Sequence, residues 1–364
     1  MIKFAVKSSF VIAAAFCMVA LISFSSFRVG FWPIAEKDAH KTDSLLYLLS
    51  LENHSLGRML PENYQQSAGQ EIFQLLTNIN LKDMKTFLIS EIPGMTRFGS
   101  DILVAGQGTD FTNLPIETPP PDVMEPGEKE AEPPSNSKPP SPAPQTTDNV
   151  AFIYHTHNLE SFLPLLSGQK DPNKAISRDK NVTLLGKRLG EKLNEKGIKT
   201  LVDTTDINSQ LVKRKLNYYK SYAVSREVVQ EAMQRNKEVQ LLFDIHRDSR
   251  PRKSTTATIN GISYAKPYFV IGKSNPKYES NLEYSKKLHY AIEKEYPGLS
   301  RGVFGKTKKE GDGVYNQDLS SRSVVIEIGG YENTLEELYR TVDILAEVIS
   351  DYYWGEAVEA SGKE

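Results

Sequence analysis

The sequence predicts an α/β fold: one domain over residues 150–354, with a mostly parallel or mixed central sheet flanked by helices. Three observations lead there. From Val150 onward, short apolar runs of strand length alternate with stretches whose apolar residues recur every three or four positions. The runs "VAFIYH", "VQLLFDIH" and "SVVIEIGG" are almost continuously apolar, as suits strands buried on both faces of a sheet. A proline-rich, acidic stretch then sets this region apart from everything before it.

Residues 1–7 carry Lys3 and Lys7 and precede an uncharged apolar run, 8–27. Its 20 residues, at about 1.5 Å each, cover roughly 30 Å, so 8–27 is expected to be a retained membrane anchor. The lysines orient residues 1–7 to the cytoplasm and put the rest of the chain on the other side. Residues 28–114 are expected to form a small, mostly helical, membrane-proximal region, from the spacing in "TDSLLYLLSLENHSL" and "GQEIFQLLTNINLKDMKTFLI". His40 and His54 have no metal-compatible company there. Residues 115–149 are too poor in large apolar groups to build a core, so they read as a disordered, extended linker. At about 3.1 Å per residue such a linker reaches on the order of 100 Å, which would let the following domain search a volume above the membrane.

Within the domain, "NVTLLGKRLGEKLNEKG" is an amphipathic helix stopped by Gly197, and "IKTLVD" is a strand. "SREVVQEAMQRN" is helical, and Asn260-Gly261 marks a tight hairpin inside "TTATINGISYAKPYFVIG". "NLEYSKKLHYAIEKEY" is a helix. "NTLEELYRTVDILAEVISDYYW" closes the domain as another, capped by Asn333 or Thr334, and 355–364 is a tail.

The net charge of −2 argues against nucleic acid as a partner, because no strongly basic surface would neutralise phosphates. The single cysteine, Cys17, rules out an intramolecular disulfide and any cysteine-based zinc site. Imidazole and carboxylate remain, and they gather at strand ends. One strand runs into His155-Thr156-His157 and on to Glu160, another ends at His246, and a third carries Glu327 before two glycines. In open α/β sheets ligands bind at the carboxyl ends of the strands, so these three ends can share a cleft. His157, Glu160 and His246 form a candidate zinc-ligand set with a position left for water. Glu327 is the candidate catalytic base and acid. Two rivals stay open: Asp179 in place of Glu160, and His155 paired with His157 as an H-x-H site. Asp244 is a candidate to orient a ligand imidazole. Asn316, Gln317 and Arg322 offer donors on a polar loop at the lip of the cleft.

"IYHTHNLESFLP", "LLFDIHRDS" and "VVIEIGG", in this order behind an anchor and a proline-rich linker, resemble the stage II sporulation protein P family. More distantly the layout is similar to zinc-dependent N-acetylmuramoyl-L-alanine amidases. The resemblance implies a peptidoglycan hydrolase that cuts the amide between N-acetylmuramic acid and L-alanine, with peptide cross-links as a further target. It implies septal wall thinning and forespore engulfment, at the mother-cell membrane facing the intermembrane space. It also implies a complex with stage II sporulation proteins D and M. In that frame His157, His246 and Glu327 match the family's residues, while the distant amidases favour Asp179 over Glu160 as the carboxylate ligand. A zinc carboxypeptidase or peptidase, or a non-catalytic wall-binding scaffold, are the competing readings.

Overall fold

The computed structural model describes residues 101–110, 113–116 and 145–361. The expected anchor, most of the membrane-proximal region, residues 117–144, His40 and His54 lie outside the described residues. No helix among those described is long and apolar enough to cross a membrane.

The apolar runs do form a sheet, and it is mixed. Seven strands lie in the order β1-β8-β7-β9-β4-β2-β3. They are β1 (Asp101–Ala105), β2 (Ala151–Tyr154), β3 (Thr200–Val202), β4 (Leu241–Asp248), β7 (Pro267–Gly272), β8 (Gly302–Lys306) and β9 (Arg322–Gly330). The half holding β9, β4, β2 and β3 is parallel throughout. On the other side β7 runs antiparallel to β9 and parallel to β8, and β1 closes the edge antiparallel to β8. The remaining strands, β5 (Thr256–Ile259) and β6 (Ile262–Ala265), make a separate hairpin. Its turn is Asn260-Gly261, both with positive φ (52° and 78°), as a two-residue hairpin turn requires.

Alternation along the strands divides the core in two. Ala151, Ile153, Phe243, Ile245, Val324 and Ile326 face the larger layer. It is covered by α1 (Thr183–Glu195), α5 (Tyr278–Glu295) and α6 (Leu335–Ser361), through Leu185, Leu189, Leu288, Ile292, Leu338 and Val342. The opposite face, with Phe152, Tyr154 and Leu242, packs on Val229 of α3 (Ser221–Arg235), next to the short α2 (Ile207–Lys213). A single helical turn, α4 (Arg252–Thr255), follows β4. Thr334 caps α6 in a reciprocal box: the Glu337 amide donates to Thr334 Oγ1 (3.4 Å) and the Thr334 amide to Glu337 Oε2 (3.1 Å). That helix continues through the expected tail as far as Ser361.

The sequence expectation and the structure differ before the linker. Asp101–Ala105 is a strand of the domain sheet, not part of a separate helical region. Leu114, buried at 1 % exposure, packs with Tyr268, Val270, Phe304, Tyr315 and Val325. The Ile116 amide donates to Asp248 Oδ1 (3.0 Å), Ser249 to the Ile116 carbonyl (3.0 Å) and Arg250 Nε to the Leu114 carbonyl (2.8 Å). Arg301, in a buried ion pair with Asp248, also donates to the Asn113 carbonyl. At the far end of the proline-rich stretch, Thr146 donates to the Gly197 carbonyl (2.9 Å). Both ends of that stretch are therefore fastened to one domain. Hydropathy spacing misses β1 because an edge strand of five residues leaves no periodic signal long enough to separate it from helix.

Candidate metal centre

The topology sets β9, β4 and β2 side by side and parallel, so their carboxyl ends open at one edge. His246 and Glu327 are register partners across β4 and β9, which turns both side chains to the face that carries α3. β2 stops at Tyr154, and the chain then turns, with the Glu160 amide donating to the His157 carbonyl (3.0 Å). This turn brings His157 and Glu160 to the same side. Glu160 is pinned further by a bridge to Ile176 and by the Val182 amide on its carbonyl (2.8 Å).

One ligand atom from each of His157, Glu160 and His246 lies within 4.8 Å of the other two. His246 Nδ1 is 3.5 Å from Glu160 Oε2, and His157 Nδ1 is 3.9 Å from Glu160 Oε1. Ligands about 2.0–2.1 Å from a shared tetrahedral ion stand about 3.4 Å apart, so little movement separates this arrangement from a metal site. Asp244, fully buried, places Oδ1 3.0 Å from His246 Nε2, off the line of a straight hydrogen bond. Asp244 is itself held by the Thr156 amide (2.8 Å) and hydroxyl (2.6 Å). The Thr156 hydroxyl sits 2.8 Å from that of Ser225, which accepts from Asn316 Nδ2 (3.0 Å). This leaves Nδ1 of His246 facing the other two donors.

Electrostatics follow from burial. Desolvation would raise the Glu160 carboxyl, but hydrogen bonding and charge from His246, with Arg247 and His157 behind them, prevail and hold it at about 2. The Arg247 amide donates to Glu160 Oε2 (3.1 Å). Burial would lower the His246 imidazolium, and the Asp244 and Glu160 carboxylates instead raise it well above its ordinary value. Glu327 goes the other way: burial pushes its carboxyl up to about 8, His246 and Lys306 oppose the rise, and Glu160 and Asp248 add to it. Its Oε2 is buried without a hydrogen-bond partner.

The rival ligands stand elsewhere. Strand alternation carries His155 to the α1 face with Ile153, where its Nδ1 donates to the Asp203 carbonyl (3.0 Å) and its ring fills the space beside Gly186. The H-x-H reading fails because the strand ends before His157, so the two-residue period no longer applies. Asp179 is exposed and outside the cluster. His289 is buried, bonded to Ser300 Oγ (2.8 Å). The expected lip donors serve the fold: Asn316 bonds Ser225, Gln317 bridges Gly272 and Val270, and Arg322 reaches Gln240 and Glu356. Sequence reasoning missed the aromatic wall. Tyr218 stacks on His157 (4.8 Å), Tyr222 lies parallel to His246 (6.4 Å), and Tyr315 meets Tyr222 edge-on. The cluster of tyrosines in "NYYKSY", next to a helix start, was the available signal.

A family model described as stage II sporulation protein P matches residues 82–350, nearly three quarters of the chain. The chain belongs to the stage II sporulation protein P family. A curated relative, stage II sporulation protein P of Bacillus subtilis (strain 168), is 45% identical over 347 residues, which cover 92% of this chain and 86% of the relative. The family match begins before β1 and runs through the linker, so it takes in the segment that docks on the sheet as well as the metal-ligand candidates. Membership in the stage II sporulation protein P family gives the chain a role in sporulation.

Proposed function

We propose that this chain is a membrane-anchored, zinc-dependent peptidoglycan hydrolase that cleaves the amide between N-acetylmuramic acid and L-alanine. In this reading it works from the extracytoplasmic side during septal thinning and engulfment, with stage II sporulation proteins D and M as partners and peptide cross-links as a second target. The observation that carries the chemistry is the convergence of His157, Glu160 and His246 beside Glu327, a buried carboxyl with an unpartnered oxygen.

The donor set fits zinc: two imidazoles and one carboxylate, with no thiolate, are the usual ligands of an open catalytic site. His157, Glu160 and His246 would hold the ion. Bound zinc lowers the pKa of water toward neutrality and polarises a carbonyl oxygen. This chain's own residues do the rest. Asp244 keeps the His246 ring turned so that Nδ1 faces the cluster. The Arg247 amide fixes the Glu160 carboxylate. Glu327 takes a proton from the attacking water and returns it to the leaving amine, and a carboxyl tuned toward neutrality suits both transfers. Tyr218, Tyr222 and Tyr315 keep bulk water from the histidine faces.

The test is mass spectrometry of what the purified full chain releases from peptidoglycan, with zinc and with a chelator. Free stem peptides lacking muramic acid, produced only with metal and lost at least 100-fold in Glu327→Gln, are expected. Muropeptides cut only within the peptide would indicate a zinc peptidase, and wild-type turnover by Glu327→Gln would overturn the proton-transfer role.

A further inference from the structure

His157 and Glu160 stand where two clefts meet. One cleft is lined by His246, Glu327, Tyr222 and Tyr315 and belongs to the chemistry proposed above. The other lies between the turn after β2 and α2, and it has only His157 and Glu160 in common with the first. A bond cleaved at the cluster carries substrate on both sides of it, so the second cleft gives the second arm a place.

The lining of this cleft is mostly apolar, with Leu159, Ile176, Leu211 and Tyr218. Two side-chain amides are set among these residues. That of Asn158 is committed to the fold: its Nδ2 donates to Asp206 Oδ1 (3.2 Å), and its Oδ1 accepts from the Asn208 backbone amide (3.3 Å). Asn208, at 9 % exposure, has no such duty for its own Nδ2, which is buried without a hydrogen-bond partner. A buried donor left unpaired is costly, and native structures rarely keep one without a use for it. Apolar walls with one unpartnered donor match a small group that joins a methyl to a carbonyl oxygen. An acetamido group is such a group, and N-acetylmuramic acid carries one on the ring carbon next to the lactyl ether that leads to the scissile amide.

The rim has the same character. Of the four large apolar side chains exposed among the described residues, two fall in the short stretch that supplies Tyr218: Leu216 (37 %) and Tyr219 (81 %). An open aromatic face beside the cleft suits the C–H face of an adjoining sugar.

We propose that the glycan arm of the substrate lies on the α2 side of the cluster, with its acetamido carbonyl accepting from Asn208 Nδ2 and the adjoining sugar on Tyr219, and that the stem peptide lies in the other cleft. This rests on the hydrolase reading and deepens it. It makes Asn208 and Tyr219 specificity-determining residues, and the preferred substrate an N-acetylated glycan rather than a deacetylated one.

The experiment measures binding, by calorimetry, of two muramoyl tripeptides to the zinc-loaded full chain carrying Glu327→Gln. They differ only in whether the sugar nitrogen is acetylated or free. The acetylated ligand is expected to bind about 10-fold tighter, as one buried hydrogen bond and a buried methyl allow. Asn208→Leu, which removes the donor, and Asn208→Asp, which replaces it with an acceptor, should each bring the acetylated ligand down to the affinity of the other. A disaccharide ligand should bind more tightly than the monosaccharide, and Tyr219→Ala should remove that gain. No preference for the acetylated ligand, a preference that survives both Asn208 variants, or equal losses for both ligands would overturn the assignment. A disaccharide gain that persists in Tyr219→Ala would overturn the part given to the rim. If neither ligand binds while the Glu327-containing chain still releases stem peptides from peptidoglycan, this inference fails and the hydrolase reading stands. If nothing is released either, both fail.

Discussion

Glu160 and Glu327 are carboxyls in one cleft that burial and neighbours push in opposite directions, to about 2 and about 8. Under the proposed function this divergence would divide labour between a permanent anion suited to a cation and a proton carrier. It also makes a stability prediction for the metal-free chain. Below its ordinary value near 4.5, Glu327 is protonated whether the chain is folded or not. Between there and about 8 the native chain keeps a proton that the unfolded chain has released, so stability falls as pH rises through that window. Glu160 has the opposite sign: its contribution is complete above 4.5 and is lost as pH falls toward about 2. With chelator present, Glu327→Gln is therefore expected to be more stable than the native sequence near pH 8, by a few kcal/mol at about 1.4 kcal/mol per unit, and equal to it near pH 4. Thermal melts across this range test it. Parallel curves would show that Glu327 is not held protonated.

At the scale of elements, the site depends on which strand ends meet. β2, β4 and β9 are neighbours, so residues separated by 80 or more positions in sequence, such as Glu160 and His246, share one edge. The other side of the sheet depends on β1, whose docking is sterically exacting. Gly302 has φ +111°, and a Cβ there would stand 2.0 Å from the Val104 carbonyl oxygen. Gly302→Ala is expected to cost about 1–3 kcal/mol and to loosen β1 from β8. Hydrogen exchange should then show lost protection at Ile102 and Val104 before the parallel half of the sheet opens. Unchanged protection at β1 would mean that the strand accommodates the methyl group by sliding as a unit.

For the whole molecule, the fastening of residues 101–116 changes what the proline-rich stretch does. Both of its ends belong to the same domain, so it is an excursion from that domain and does not set how far the domain stands from the residues before β1. A protease site inserted between 117 and 144 provides the check. After complete cutting, the piece carrying β2 to α6 is expected to remain with an N-terminal affinity tag, held by the β1–β8 ladder, buried Leu114 and the Arg301–Asp248–Asn113 group. Replacing 101–116 with glycine and serine before cutting should release it. Release of the piece after cutting while 101–116 is intact would show that the docked segment does not hold alone.

Much of this was legible without coordinates. Periodicity and apolar runs identify the α/β class, the Asn260-Gly261 turn and the cap of α6, because each depends on neighbours close in sequence. The same holds for His157 and Glu160, three residues apart in one turn, and for the placement of His246 and Glu327 on strands, although β4 runs on past His246 to Asp248 and β9 past Glu327 to Gly330. That Glu160, and not Asp179, lies with His157 and His246, that His155 turns to the α1 face and that Lys306 is buried were decided by the fold, since each depends on which side of a strand or turn a residue faces. Sequence determined the chemistry at hand; tertiary structure decided its meeting place, because strand order and register are set by packing between segments far apart in the chain.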